Sequence, residues 1–196
     1  SSVSQRILAL RAHNQKGKTF MHLGLEQHPT LGILRGQIFS SLFGAVASHS
    51  QISLRCGQEV VHVQPGSIGP ETGFDLVVIA DGSRSSLRQA IDRRPFVHEY
   101  SIGALWCTAR SKFPGDLLHQ VADGTRRLCG MLPTGGGLCS FFWSCTRAEF
   151  EHYRQDWPQS ILPELTRLAP EALALVQACP AHQVLFADYR HGWLRR

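Results

Sequence analysis

The chain has 196 residues and a mass of 21.8 kDa, enough for one large domain or two small ones with a real hydrophobic core. Its 43% hydrophobic and 18% charged residues exclude a disordered, collagenous or coiled-coil polypeptide. The net charge of +5 rests on scattered arginines, with Lys16, Lys18 and Lys112 the only lysines, so no basic run marks a nucleic-acid-binding face.

No apolar run exceeds the five residues of 76–80, far short of the roughly 20 that span a bilayer. Residues 1–14 mix Arg6, Arg11 and His13 with their apolar neighbours and carry no secretory signal. Without such a signal, the irregularly spaced Cys56, Cys107, Cys129, Cys139, Cys145 and Cys179 read as reduced thiols of a cytoplasmic protein. In 31–47, Leu34, Ile38, Leu42 and Val46 recur every four residues, with Phe39 and Phe43 beside them, which predicts an amphipathic helix carrying Arg35 in its first turns. Residues 51–56 and 59–64 read as strand, turn at Gly57, strand, and the glycine- and proline-rich 65–73 as loop. The run 76–80 lacks alternation, as expected of a strand covered on both faces in a parallel sheet, and Asp81-Gly82-Ser83 ends it before a short helix over 85–91. Longer strands follow at 101–109, 126–132 and 138–145, predicting an antiparallel sheet. In the last, Cys139, Phe141, Trp143 and Cys145 share an apolar face, while Leu138, Ser140, Phe142 and Ser144 form a mixed face suited to a pocket wall or to solvent. Helices are expected at 147–157, 159–168 and 170–178, and a final strand at 182–189.

The segment Asp75-Leu-Val-Val-Ile-Ala-Asp81-Gly82-Ser-Arg-Ser85-Ser-Leu-Arg88 resembles the Asp-Gly motif of the FAD-dependent aromatic hydroxylases, the flavin monooxygenases related to para-hydroxybenzoate hydroxylase. Upstream, Arg35, Ile38 and Leu42 are similar to that family's Arg-x-x-Leu-x-x-x-Leu helix, and Gly130-Met131-Leu132-Pro133 before an aromatic strand echoes its substrate domain. The resemblance implies an α/β chain, α+β overall. Residues 31–94 would form a partial Rossmann-like FAD-binding domain and 95–190 an antiparallel-sheet substrate domain with helices. Residues 1–30 would belong to the substrate domain or a connecting segment, and 191–196 would begin the return to the FAD domain.

By the same resemblance Arg35 contacts FAD, Val60 touches its adenine side, and Asp81 with Gly82 lies at the flavin and nicotinamide region. Elementary chemistry agrees: Asp81 can accept hydrogen bonds from ligand hydroxyls, Gly82 lets backbone approach a bulky group, and Arg35 offers a fork of donors. The implied activity is NAD(P)H-dependent hydroxylation of an aromatic or similar apolar small molecule through a flavin hydroperoxide, with Phe142 and Ser140 lining the substrate pocket. The Gly-x-Gly-x-x-Gly and Gly-Asp segments of the family are missing, so the chain reads as an internal fragment, inactive alone. Ile79 also stands where the family commonly has glycine, and little room is left for its small β-meander.

Each feature has a plainer reading: an ordinary strand-to-helix turn at Asp81, a solvated Arg35, core aromatics at 141–143. A catalytically silent binding domain of flavoprotein architecture and a flavin-dependent prenyl-lipid reductase remain as alternatives. His98-Glu99-Tyr100-Ser101-Ile102 breaks the His-Glu-x-x-His spacing and no Cys-x-x-Cys occurs, so no metal site is expected. Gly-x-Ser-x-Gly is missing as well, leaving a hydrolase without support.

Overall fold

The computed structural model describes residues 3–28, 30–91 and 94–193. In chain order the elements are β1 (Ser4–Arg6), β2 (Ala9–Asn14), β3 (Thr19–Gly24), β4 (Leu31–Ile33), α1 (Arg35–Ala47), β5 (Val63–Gln64), β6 (Ser67–Ile68), β7 (Glu71–Thr72), β8 (Phe96–Glu99), β9 (Ile102–Arg110), β10 (Leu117–Asp123), β11 (Arg127–Gly135), β12 (Leu138–Thr146), α2 (Arg147–Gln155), α3 (Leu162–Leu168), α4 (Leu173–Ala178), β13 (Leu185–Ala187) and β14 (Arg190–Trp193). Single 3-10 turns lie at Leu87–Ala90, Pro170–Ala172 and Ala181–Gln183. The architecture is mixed α/β, and the chain divides into two units, one of 1–45 with 101–188 and one of 46–100 with 189–196.

The larger unit is built on a seven-stranded sheet in the order β13-β9-β12-β11-β10-β2-β3. All its pairings are antiparallel except that of β2 with β10. Two-residue periodicity sends Leu105, Cys107, Cys129, Met131, Phe141 and Trp143 to one face, where each is at most 1% exposed. α2, α3 and α4 cover that face with Phe150, Tyr153, Leu165, Leu175 and Val176. The apolar face read in 138–145 is therefore the core face, while on the other face Leu138, Phe142 and Ser144 are half-buried and Ser140 is buried. Thr146 and Glu149 form a reciprocal capping box that starts α2 as β12 ends: Glu149 N–H donates to Thr146 Oγ1 at 3.2 Å, and Thr146 N–H to Glu149 Oε2 at 2.7 Å.

Arg127, at the start of β11, clamps the helices to the sheet. It donates to Glu149 of α2 at 2.5 Å and to Glu164 of α3 at 3.2 Å, while Tyr153 donates to Glu164 at 2.8 Å. These hydrogen bonds hold the Glu149 carboxyl down at about 2 and push the Arg127 guanidinium further up.

The smaller unit corrects several expectations. Residues 65–73 are not plain loop: β5, β6 and β7 make a three-stranded antiparallel meander of two-residue strands. Of the strands expected at 51–56 and 59–64 only Val63–Gln64 forms, and neither 51–62 nor 76–80 pairs with a strand among the described residues. Leu76 and Val78 are 77% and 74% exposed, whereas Val77 and Ile79 are half-buried, so the run is not covered on both faces. A covered parallel strand needs neighbours on both edges and a layer on each face, and the described residues supply neither. The helix expected from residue 31 begins at Arg35, because Leu31–Ile33 pairs with Ser4–Arg6 as β4 against β1. None of its residues is buried, so its stripe of Ile38, Phe39, Leu42 and Phe43 lies open. No helix among the described residues is long and apolar enough to cross a membrane. Of the expected 191–196 segment, His191–Trp193 closes β14 against β8, and residues 194–196 lie outside the described residues.

Candidate functional site

The smaller unit contains a cavity of about 470 Å³ with two walls. One is the turn that ends the 74–80 run. Gly82 holds φ at +88°, in the left-handed region, and a Cβ there would meet nothing within 4 Å. The turn is tied by Ser85 N–H to Gly82 O at 3.1 Å and by Arg88 Nη2 to Ser83 O at 2.9 Å. The Asp81 carboxyl lies fully in solvent and below its ordinary range. The Ser85 hydroxyl beside it is the largest cause, with the Leu87 N–H and the Arg88 charge adding to it. Asp81 is thus an ionised acceptor at the cavity mouth.

The second wall is β14, antiparallel to β8 with Arg190 opposite Glu99, His191 opposite His98 and Trp193 opposite Phe96. Trp193 stacks on Phe96 with centroids 3.9 Å apart and is still 54% exposed. Arg190 Nη2 meets Glu99 at 3.1 Å. With the Ser85 hydroxyl acting on the Asp81 carboxylate, Arg190 Nε is the lining polar atom left buried with no hydrogen-bond partner among the described residues. Buried donors without acceptors are costly in a native protein and mark places where a ligand or solvent completes the network.

The sequence-predicted residues fall in different places. Asp81 and Gly82 line this cavity. Val60 belongs to the same unit but is 39% exposed and is not among the lining residues. Arg35 is the exposed first residue of α1, counted with the larger unit. Ser140 and Phe142 stand on the sheet face away from the helices, Phe142 half-buried and Ser140, expected to line a pocket, buried at 2% exposure. The Ser140 hydroxyl pairs with that of Thr108 at 3.2 Å, and the Phe142 ring stacks near Trp106 with centroids 6.1 Å apart. Phe142 also lies across Gly130, where a Cβ would come within 2.4 Å of its ring. Sequence reasoning missed Ser85, Arg88, Arg190 and Trp193 as lining residues, and Trp106 and Thr108 as partners on the sheet. The available signal was aromatic alternation, Phe96, His98, Tyr100 against His191, Trp193, on segments that pair only in three dimensions. Among the described residues no group of His, Cys, Asp and Glu could hold a metal ion.

Solved flavoenzymes share this fold. HpxO of Klebsiella pneumoniae, solved with FAD and uric acid, matches with a TM-score of 0.71 at 15% identity, over 95% of this chain and 52% of its own. PqsL of Pseudomonas aeruginosa, a probable FAD-dependent monooxygenase, matches with a TM-score of 0.71 at 17% identity, over 93% of this chain and 55% of its own. The tetrameric form of 2-methyl-3-hydroxypyridine-5-carboxylic acid oxygenase matches with a TM-score of 0.71 at 15% identity, over 99% and 55%. The chain spans about half the length of each. No protein-family profile matches it, and no curated protein does. The fold is that of the FAD-dependent monooxygenases.

Proposed function

We propose that this chain is part of an FAD-dependent oxidoreductase, an NAD(P)H-dependent monooxygenase acting on an aromatic or similar apolar small molecule. The observation that carries the reading is the cavity at Asp81 and Gly82, where an ionised carboxylate, an approachable backbone turn and a guanidinium nitrogen without a partner among the described residues lie together. These groups fit a nucleotide cofactor. Asp81 accepts from ligand hydroxyls, Gly82 admits the cofactor against main chain, and Arg190 Nε offers a hydrogen bond that no group among the described residues takes. Arg35 and Val60 complete the set on family likeness, toward the anionic and adenine parts of FAD.

Bound FAD would supply hydride acceptance and oxygen chemistry; the protein's part is to bind, orient and exclude water. On the sheet face away from the helices Phe142 and Trp106 present stacked rings, apolar area of the kind an aromatic substrate requires, with the Thr108 hydroxyl half-buried beside them and the buried Ser140, expected to line the pocket, beneath it. Residues 31–94 are assigned to the cofactor side and 95–190 to the substrate side of a cytoplasmic enzyme, with Val97 and Arg190 at the ends of the latter stretch lining the cofactor cavity. The 76–80 run is unpaired among the described residues, and the chain alone is expected to turn over nothing.

Flavin fluorescence tests the reading. Titration of the 196-residue chain with FAD should give weak, saturable quenching in the high-micromolar range, and Asp81→Asn should weaken it several-fold. Absence of saturable quenching would overturn the flavin reading in favour of a silent interaction domain.

A further inference from the structure

We infer that Cys107 and Cys179 form a reversible disulfide that locks the helical layer to the large sheet when the protein meets a peroxide. The inference concerns the larger unit and stands whether or not a flavin binds the smaller one. Strand periodicity puts Cys107 of β9 on the face that α2, α3 and α4 cover, where it is 1% exposed. Cys179 is the residue that ends α4, 3% exposed and in the same apolar cluster. The two thiols are hydrogen-bonded to each other. They meet at the edge of the sheet: β13 pairs with β9 as far as Leu185 opposite Trp106, and just beyond that pairing the Thr108 N–H donates to the Cys179 sulfur. On the helix side the Trp157 indole donates Nε1–H to the Cys179 carbonyl at 2.8 Å, which fixes the backbone that carries the thiol.

The pair is unequal. The hydrogen bond from Cys107, helped by the Thr108 N–H and opposed by burial, lowers the Cys179 thiol to about 7, while the same bond and burial push Cys107 up. Cys179 is thus the attacking thiolate and Cys107 the partner that keeps its proton. Burial pushes the neighbouring Cys129 and Cys139 up to about 12 and Cys145 up to about 11, so these three stay protonated and unreactive. Gln177, Ala178 and Pro180 around Cys179 are exposed, and a local opening of the α4 end admits a molecule as small as hydrogen peroxide. The Cys179 sulfur, its proton released, attacks one peroxide oxygen. The O–O bond breaks and the second oxygen leaves with that proton as water, which makes a sulfenic acid. The Cys107 sulfur then displaces the hydroxyl, which departs with the Cys107 proton as a second water, and an S–S bond replaces the S–O bond. Two thiols have lost two electrons, and the peroxide has taken them up. The bridge closes the long loop from 107 to 179, which restricts the unfolded chain and so stabilises the larger unit.

Peptide mapping tests the inference on the whole chain carrying Cys56→Ser, which removes the exposed thiol. The reduced protein is treated with hydrogen peroxide in native buffer, its remaining thiols are alkylated in urea, and the tryptic digest is mapped without reductant. The expected product is a single linked pair, the peptide of Cys107 joined to that of Cys179, with a raised urea midpoint and reversal of both by dithiothreitol. Cys179→Ala should abolish the link and the midpoint rise together, leaving Cys107 reduced. Cys107→Ala should instead stop at a sulfenic acid on Cys179, which a dimedone adduct reports. The mapping of the Cys56→Ser chain decides alone if either core variant does not fold. Cys179 carried on to a sulfinic acid beside a free Cys107, cross-links among Cys129, Cys139 and Cys145, or a folded chain that keeps every thiol would overturn the disulfide. A linked pair without a rise in the urea midpoint would overturn the lock.

Discussion

Glu149 is held at about 2 rather than its usual 4.5 because Arg127 donates to its carboxylate. A carboxylate whose value is lowered on folding adds stability that is complete above the unfolded value and lost as pH falls toward the folded one. The contribution should thus be present above about pH 5 and fade between 4.5 and about 2. With Glu149 38% exposed, solvent screening limits it to about 1 kcal/mol. Glu149→Gln is expected to cost about that much at pH 7 and to flatten the acid limb of a denaturant-midpoint profile. An acid limb with the wild-type slope would show that the carboxylate is not the titrating group. At this same scale, Asp81 and Gly82 could be read from the chain because the whole motif is local. Arg190 and Trp193 could not, since they reach the cavity wall only through pairing with Glu99 and Phe96, ninety-odd residues earlier.

Secondary structure was legible where the burial pattern is long and one-sided. The alternation from Cys139 to Cys145 is that of a strand with one face under helices, and β12 bears it. It was illegible where elements are short or where apolar periodicity and burial part company. The meander of β5, β6 and β7 uses two-residue strands separated by Gly66 and Gly69, below the length at which alternation exists. α1 shows the reverse: its period is helical, yet its apolar stripe is exposed. In the helical layer, Leu165 of α3 is fully buried against the sheet. Leu165→Ala should destabilise the chain by about 2–5 kcal/mol, the usual cost of a cavity left by a deleted core leucine. Urea denaturation would measure it, and a loss below about 1 kcal/mol would mean that α3 does not seal this face.

Across the molecule, order is concentrated in the larger unit, where β9, β12 and β11 are paired along their length under a helical layer. In the smaller unit, 51–62 and 76–80 keep backbone groups without ladder partners among the described residues. Native-state hydrogen exchange should follow that contrast. Amides of 76–80 should exchange in seconds to minutes, and those of Phe141 and Trp143 only by global unfolding. Equal protection in both segments would contradict the pairing described. Fold class was recoverable from sequence because strands, turns and the Asp-Gly block occur in the order of the flavoenzyme fold, which the matches to HpxO and PqsL bear out. The covering of 76–80 was not, because it depends on neighbouring strands that the apolar character of the run does not specify. Hydrophobic character alone reports only what a segment would prefer to touch.

The parallel ladder between β2 and β10 has a further consequence for how the molecule is made. Ala9 stands beside Leu117 and Asn14 beside Ala122, a separation of about a hundred residues that must be closed in one step. During synthesis the β2–β3 hairpin leaves the ribosome long before its partner exists, so the β2 edge waits unprotected until β10 is translated. Assembly of the larger unit is therefore gated by loop closure, and the hairpin is the part most open to mispairing in the interval.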